Sequence, residues 1–486
     1  MTKVSAKSPT DRLQLLVEDP RRYSMYNKTS LIKGILFSMV FGCILLSFSS
    51  VSQAGTYFVS PTGSALWTAC TTTATPCSVA TAMANAQAGD LVYFRGGTYD
   101  SGNSCASCDR ETFVMKPAYS GTSGNPITFQ AYPGETPVIQ GTNCGCPSFG
   151  TSNVGWIVWD GFSGTIIDNT SSENRFVMFV DSNNITIRNC DLKGVVKTNY
   201  HNNTLIESLR SSYVTIENNK LHDNNGDPSV VVNTTAILFW DTSYATIRYN
   251  DIYNNRIGIY DKQDGIANEY YNNHIWGGAG TQSCANGFQI KNQETTPTGH
   301  DDKFYFNVVR NCSMGVYNED GVAADLLNNL KIYNNVFYGG SSGSAGVHLS
   351  AQATNAYVYN NIIVNYQIGL RYTSGANMST NHSDYNIFYP SSTIWSLDWS
   401  TTTYSSLQAW QQTTFDTHSS VVNPLFAKPN GVMPTDYRPT AGSPAFTGGA
   451  GGTYPAYQGV YSSDSANPAV GLSPGTARPG PPRNLR

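Results

Sequence analysis

The segment Val214-Thr-Ile-Glu-Asn-Asn-Lys-Leu221 decides the fold, because variants of it recur through the middle of the chain. Each variant has alternating apolar residues, a polar centre and further apolar residues, which is typical of two short strands joined by a corner. The series continues in Ile185-Thr-Ile-Arg-Asn-Cys-Asp-Leu192, Ala245-Thr-Ile-Arg-Tyr-Asn-Asp-Ile252, Glu269-Tyr-Tyr-Asn-Asn-His-Ile275, Phe304-Tyr-Phe-Asn-Val-Val309, Lys331-Ile-Tyr-Asn-Asn-Val-Phe337, Tyr357-Val-Tyr-Asn-Asn-Ile-Ile363 and Ser383-Asp-Tyr-Asn-Ile-Phe388.

One corner position of this repeat is almost always asparagine, and it is occupied in turn by Cys190, Asn219, Asn250, Asn273, Asn307, Asn335, Asn361 and Asn386. The spacing is irregular, which suits coils of three short strands with loops of variable length and not a leucine-rich horseshoe. Asparagine tolerates the left-handed backbone of a tight corner, and stacked amides can hydrogen-bond from coil to coil. The repeat predicts an all-β, single-stranded, right-handed parallel β-helix that forms one domain. A seven-bladed propeller or a β-sandwich is the alternative, but neither explains the asparagine ladder.

The beginning of the chain has the pattern of an exported protein. Residues 1–24 are interpreted as an upstream extension and residues 25–54 as a signal peptide. A positively charged start, an apolar run over Gly34–Phe48 and the small-x-small site Ser52-Gln-Ala54 support this interpretation. A membrane anchor is the alternative, but the run is short for a span of about 20 residues. We therefore expect no stable membrane span in the mature chain.

Residues 55–450 are predicted to form the β-helix domain, with an Ala-rich capping helix over Val79–Ala88. Residues 451–486 are rich in Gly, Pro and Ser, which predicts a linker-like tail. With 12% aromatic and 13% charged residues the composition is not that of a disordered chain. A pI of about 6.0 provides no basic surface, so nucleic acid is not an expected partner.

The cysteines fit an oxidising compartment. The best candidate for a small disulfide loop is Cys70–Cys77, and Cys105-Ala-Ser-Cys108 and Cys144-Gly-Cys146 suggest zinc as an alternative. No matching pair follows at metal-binding spacing, so disulfides or free thiols are favoured.

The front of the chain resembles a known family of exported β-helix proteins. The block from Tyr57 to Gly141, with Thr56-Tyr-Phe-Val-Ser-Pro-Thr-Gly63 as its first strand and turn, is similar to the family 9 pectate lyases and related alginate and chondroitin lyases. The likeness in repeat type extends over about Gly55–Gly449. Near the other end, Asn423-Pro-Leu-Phe426 and Gly442-Ser-Pro-Ala445 resemble the closing segment of envelope-associated β-helix proteins. The resemblance implies export and the fold.

Aligning the strands on the Thr-Ile-Arg segments stacks charged residues on one face. One column is predicted to contain Leu209, Trp240, Lys262, Lys291, Glu319 and Ser350. Successive coils lie about 4.8 Å apart, so Lys262, Lys291, Glu319 and Asp320 would cluster. Asp261 and Asp264 are expected beside them, and Trp240 would offer a platform for a sugar ring. The alternative is a solvated ladder of salt bridges, each worth less than about 1 kcal/mol.

This cluster suggests β-elimination on an acidic, uronate-containing polysaccharide. The reaction needs a base for the proton α to the carboxyl group and a cation that neutralises the carboxylate. The resemblance implies a base in an Asn-Gly-Phe-Lys motif, and Asn286-Gly-Phe-Gln-Ile-Lys291 is similar with its lysine two positions later. The predicted catalytic residues are Lys291, Lys262 and Glu319. The predicted substrate-binding residues are Trp240, Asn292 and Asn318, and the predicted calcium-binding residues are Asp261, Asp264 and Asp320.

Two other functions fit the same sequence. One is a non-catalytic surface protein that binds glycans or builds a matrix. It is favoured by the C-terminal closing segment and by the lack of a clean match to the paired aspartates of the calcium cluster that the resemblance implies. A uronan epimerase shares the proton-removal step with a lyase. In each case we expect an exported monomer, secreted, periplasmic or attached to the cell envelope.

Overall fold

The computed structural model describes most of the chain beyond the predicted signal peptide. The described residues are 54–100, 113, 115–141, 146–166, 173–197, 202–226, 233–278, 284–291, 300–319, 327–340, 343–373, 378–390, 393–397 and 402–465. The signal-peptide prediction, Asn292 and Asp320 therefore lie outside the described residues. No helix within these ranges is both long and apolar enough to cross a membrane.

Three parallel sheets run along the molecule, and successive strands of the chain pass from one sheet to the next. The first sheet contains twelve of the described strands: Thr56–Val59, Leu91–Phe94, Ile127–Ala131, Gly155–Asp160, Asn183–Arg188, Ser212–Glu217, Thr246–Arg248, Glu269–Tyr271, Lys303–Tyr305, Lys331–Tyr333, Tyr357–Tyr359 and His382–Asp384. The second contains eleven: Gly97–Asp100, Pro137–Gln140, Ser163–Thr165, Asp191–Lys193, Lys220–His222, Asp251–Tyr253, His274–Trp276, Val308–Arg310, Val336–Tyr338, Ile362–Val364 and Ile387–Tyr389.

The third sheet also contains eleven described strands: Phe149–Ser152, Glu173–Val180, Asn202–Leu209, Asn233–Trp240, Ile257–Lys262, Asn286–Lys291, Met314–Asn318, Ala345–Leu349, Ile368–Tyr372, Thr393–Leu397 and Thr402–Tyr404. Two short pairs complete the strand set: Val196–Lys197 with Asn225–Gly226, and Leu327–Asn328 with Ala353–Thr354. The pairings are parallel except for the last one of the third sheet, which is antiparallel. The predicted parallel β-helix is confirmed.

The apolar residues of the repeat fill the interior of the solenoid. Ile187, Ile216 and Ile247 pair in register in successive coils of the first sheet, and all three are fully buried. Each coil covers the apolar surface of its neighbours, so the coils are stable only as a stack. The short helix Val79–Asn85 has Ser78 as its N-cap and buries Ala82 and Met83 in the same core.

The asparagine ladder forms as predicted, but its backbone explanation needs a correction. The Oδ1 atom of Asn307 accepts hydrogen bonds from the backbone N (2.9 Å) and the Nδ2 atom (3.1 Å) of Asn273. The left-handed residue is not the ladder asparagine but the residue before it, as at Asn218 (φ 56°) and Asn272 (φ 54°). The preceding residue therefore makes the turn, and the ladder residue satisfies the backbone groups that the turn leaves unpaired.

The C-terminal part folds back onto the solenoid. Phe426, Tyr437, Val460 and Tyr461 pack against buried residues of the second sheet and form a separate apolar cluster. The prediction that a linker begins at residue 451 therefore places the boundary too early, because Tyr461 is fully buried. The short helix Leu407–Gln411 and the 3₁₀ helices Trp67–Ala69, Pro434–Tyr437 and Pro444–Phe446 complete the described helices.

The disulfide pairing differs from the prediction. Cys284 and Cys312 form a disulfide between successive coils of the solenoid. Cys70 and Cys77 are buried free thiols, so the predicted Cys70–Cys77 bond is wrong. The two thiols lie within hydrogen-bonding distance of each other, and each also contacts a backbone carbonyl oxygen, that of Trp67 for Cys70 and that of Phe58 for Cys77.

Candidate functional site

The outer face of the third sheet carries the two predicted lysines side by side. Lys262 pairs with Trp240 on one side and with Lys291 on the other, so the predicted register is correct. Side chains alternate between the two faces of a strand, which places these residues outward and their neighbours Asp261 and Ile290 inward. Both inward residues are fully buried. The sheet therefore presents two ammonium groups from adjacent coils.

Glu319 is the centre of a hydrogen-bonded network on this face. Its Oε1 atom accepts from Lys291 Nζ at 2.8 Å, and its Oε2 atom accepts from Tyr260 OH at 2.6 Å and Gln289 Nε2 at 2.7 Å. Burial raises the pKa of Glu319, but the hydrogen bonds from Lys291 and Tyr260 more than offset this, so the pKa lies below its ordinary value. Glu319 is therefore an ionised carboxylate that holds Lys291 in one position.

Lys262 lies against aromatic rings. Its Nζ atom is 3.9 Å from the centroid of the Trp240 ring and 5.6 Å from that of Tyr260. Contacts of this kind stabilise an ammonium group by about 0.5–2 kcal/mol. Trp240 is partly buried against Leu209 and Leu238. The indole thus has a fixed place beside the cation.

A shallow groove continues from Lys262 toward earlier coils. It is lined by Arg175, Asn202, Glu207, Asn233, Thr235, Leu238, Trp240, Tyr260 and Lys262. Arg175 Nε donates to Glu207 Oε2 at 2.7 Å, and both side chains are nearly buried. A groove with aromatic walls and the Lys262 ammonium group beside them has the chemistry to contact a carboxylate of an extended chain.

Several residues of this face were not predicted, among them Arg175, Glu207, Tyr260 and Gln289. A signal for them exists in the sequence, because side chains two residues apart on a strand share a face. Counting back by two from Lys262 and Lys291 gives Tyr260 and Gln289. The prediction used the lysine column and the column that follows it, and did not extend to the outward column two residues earlier.

Asp261 and Asn318 do not point to the lysine face, which corrects two predicted positions. Asn318 is buried, and its Oδ1 atom accepts from the backbone N (3.0 Å) and Oγ (2.7 Å) of Ser350. Asp264 lies in the turn after the strand, where its backbone N donates to Asp241 Oδ1 at 3.3 Å. Strand alternation turns Asp261 and Asn318 inward, so neither can contact a substrate on this face.

Asp261 belongs to a polar cluster inside the solenoid. Its Oδ2 atom accepts from Tyr270 OH at 2.5 Å and from Asn268 Nδ2 at 3.0 Å. Burial, with the nearby charge of Asp302 as the next cause, raises the pKa of Asp261 to about 7. Asp302 is itself buried and contacts His300 Nδ1 at 3.2 Å. Within the described ranges, no group of three or more His, Cys, Asp or Glu residues is arranged to hold a metal ion.

Comparisons with known proteins identify two regions of the chain. Residues 57–274 match the family model described as "Pel9A-like, right handed beta helix region", and residues 235–408 match the model described as "Right handed beta helix region". A search of the curated proteins gives no match.

Among solved structures, the chain is similar to the pectate lyase Pel9A, with 17% identity, 85% of this chain and 96% of that chain covered, and a TM-score of 0.46. A rhamnogalacturonan lyase has 16% identity over 68% of this chain and 87% of its own, with a TM-score of 0.41. The lacto-N-biosidase of glycoside hydrolase family 136 from Eubacterium ramulus has 12% identity over 76% and 69%, with a TM-score of 0.42.

Proposed function

Because residues 57–274 of this chain match the Pel9A-like right-handed β-helix region, we propose that the protein is an exported carbohydrate-active protein that cleaves an acidic polysaccharide by β-elimination. The observation that carries the proposal is the pairing of Lys262 with Lys291 on the outer face of the third sheet, beside Trp240. Two cations next to an indole suit a sugar ring that bears a carboxylate.

The proposed step assigns different tasks to the two lysines. Lys262 contacts the uronate carboxylate and stabilises the negative charge that develops as the proton α to the carboxyl leaves. Lys291 accepts that proton after its own ammonium proton has passed to the Glu319 carboxylate, 2.8 Å away. The electron pair of the C5–H bond forms the C4–C5 double bond, the bond from C4 to the glycosidic oxygen breaks, and the departing oxygen takes up a proton from water. Glu319 holds Lys291 in place and takes up its ammonium proton.

Calcium is an expected cofactor of such a reaction, since its hard charge suits carboxylate oxygens. Of the three proposed ligands, Asp261 is buried in the core, Asp264 lies in a turn and Asp320 is outside the described residues. The described residues do not fit a calcium site, so no step is assigned to the ion. The requirement for calcium stays a prediction that an assay with added calcium or with a chelator checks.

A non-catalytic glycan-binding or structural surface protein is the second candidate. The ion pair of Lys291 with Glu319 favours it, because the pair resembles the charge ladders that connect other coils of this solenoid. Arg248 with Glu217 and Lys303 with Glu269 are examples on the first sheet. On this reading the lysine face binds an acidic glycan without cleaving it.

The two candidates are separated by measuring the ultraviolet absorbance of unsaturated uronate ends. The purified protein is incubated with pectate, alginate and chondroitin, and the same assays are repeated with Lys291→Ala. Lys303→Ala is the matched control, since Lys303 Nζ also forms a surface ion pair, 2.7 Å from Glu269 Oε1. We expect absorbance to rise with one substrate and the rise to be lost only in Lys291→Ala.

Two results would contradict the proposal. A rise that persists in Lys291→Ala excludes this lysine as the base. No rise with any substrate, from protein whose circular dichroism shows a folded β-solenoid, favours the glycan-binding candidate.

A further inference from the structure

A column of left-handed residues runs along the first sheet, on a different face from the lysines. These residues occupy the same register position in successive coils: Trp156, Asn184, Tyr213, Tyr244, Ala267, Asp301, Asn329 and Asn355. All have φ between 50° and 60°. The backbone thus requires a left-handed residue here in every one of these coils.

The last three of these coils, and the coil of Asn184, carry the residue types that this conformation prefers, whereas the coils of Trp156, Tyr213 and Tyr244 do not. Asp301, Asn329 and Asn355 are of the two types that enter the left-handed region most readily. Trp156, Tyr213 and Tyr244 are bulky residues, for which this conformation is strained. Since the fold accepts Asn at this position, the turn itself does not explain the aromatic residues. Strain of this type is retained where a side chain has a further role.

Aromatic residues at the other left-handed corner of the first sheet have such a role. Phe306 (φ 53°) stacks on Tyr457, and Tyr385 (φ 57°) stacks on His418 with ring centroids 4.6 Å apart. Both of these partners come from the C-terminal segment that folds back onto the solenoid. The chain therefore uses aromatic residues in left-handed positions to hold another segment against the coils.

Tyr213 and Tyr244 stack on each other and face solvent. Their ring centroids are 5.1 Å apart with an interplanar angle of 13°, and they remain 54% and 45% exposed. A groove lies beside the two rings on this face of the first sheet. It is lined by Gly124, Pro126, Trp156, Val158, Asn184, Thr186, Tyr213, Thr215, Tyr244 and Thr246. None of these described lining residues is charged.

We infer that this surface, named here the tyrosine platform, binds a neutral polysaccharide. Flat aromatic rings that repeat along the solenoid, about 4.8 Å per coil, offer apolar area to the faces of successive sugar rings. The hydroxyl groups of Thr186, Thr215 and Thr246 can exchange hydrogen bonds with sugar hydroxyls. The uncharged lining matches a neutral glycan and differs from the cationic third sheet. The tyrosine platform is independent of the proposed β-elimination.

The test uses affinity electrophoresis of the whole protein in gels that contain xylan, galactomannan, mixed-linkage β-glucan or pectate. The double variant Tyr213→Asn/Tyr244→Asn removes both rings and introduces a residue that suits the left-handed backbone, so folding is retained. Ala267→Asn makes the same kind of change one coil beyond the platform. Lys291→Ala reports on the other face.

We expect at least one neutral polysaccharide to retard the protein and the double variant to lose about tenfold or more in affinity. Ala267→Asn and Lys291→Ala should bind as the unchanged protein does. Equal retardation of the double variant, or no retardation by any neutral polysaccharide, overturns the inference. Sedimentation velocity tests the alternative that a second copy of the chain binds the platform. Self-association that the double variant abolishes would overturn the inference and assign the platform to that second copy.

Discussion

Removing one side chain of the asparagine ladder should destabilise the whole solenoid, and Asn307→Ala is the sharpest case. The Asn307 side chain is fully buried, and its Oδ1 atom accepts from two donors of Asn273. Its Nδ2 atom donates to the carbonyl oxygens of Tyr270 (2.8 Å) and Tyr305 (3.0 Å) and to Asn335 Oδ1 (3.1 Å). The substitution removes all five hydrogen bonds without supplying new partners.

The magnitude follows from the groups that lose their partners. Each buried polar group left unsatisfied costs about 1–3 kcal/mol. The backbone N–H of Asn273 and one or two acceptors lose a partner, so we expect a loss of roughly 3–5 kcal/mol in the free energy of unfolding. Urea denaturation followed by circular dichroism measures this loss.

Asn183→Ala is the control for this experiment. Asn183 begins a strand of the first sheet, but its side chain is exposed, so its removal should change stability by less than about 0.5 kcal/mol. If Asn307→Ala is as stable as Asn183→Ala, the ladder does not hold the coils together and the reasoning is refuted.

The remaining predictions concern the core and the disulfide. Burial and Asp302 raise the pKa of Asp261 from 3.8 to about 7, so its protonated form favours the folded state and stability falls as the pH rises through this range. Asp261→Asn should therefore reduce the drop in melting temperature between pH 4 and pH 7, and an unchanged drop would contradict this. Replacing Cys284 by Ser should lower the free energy of unfolding by about 2–4 kcal/mol, and a reducing agent should destabilise this variant less than the unchanged protein, because Cys146 is also disulfide-bonded.

The strand register of the candidate site could be predicted because similar segments recur at equivalent positions of successive coils. Matching Thr-Ile-Arg segments placed Trp240, Lys262 and Lys291 in one column, as the structure has them. The direction of the acidic residues could not be obtained the same way, since a charged residue was taken as outward. Strand alternation turns Asp261 inward, where its Oδ2 atom accepts from Tyr270 of the next strand and from Asn268 just before that strand.

The disulfide was within reach of the same reasoning. Cys284 and Cys312 precede equivalent strands of the third sheet, and they are separated by 28 residues, one coil of the solenoid. Closeness in sequence favoured Cys70 and Cys77 instead. In a solenoid, residues one coil apart are nearer neighbours than many residues a few positions apart. Arg175 pairs with Thr204 and lies outside both outward columns, so the groove that it shares with Glu207 could not be obtained from them.

The third sheet ends in an antiparallel pairing, which interrupts its series of parallel strands. A stack of parallel coils offers, at its open end, unpaired backbone groups that a further coil from any chain can extend. Here the chain reverses after Thr393–Leu397, and the strand Thr402–Tyr404 covers that edge in the opposite direction. Trp410 of the following helix then stacks on Trp395, with ring centroids 4.7 Å apart. Because the outermost strand of the third sheet runs in the opposite direction, a further parallel coil would not continue the register of this sheet, and the hairpin opposes end-to-end stacking of solenoids.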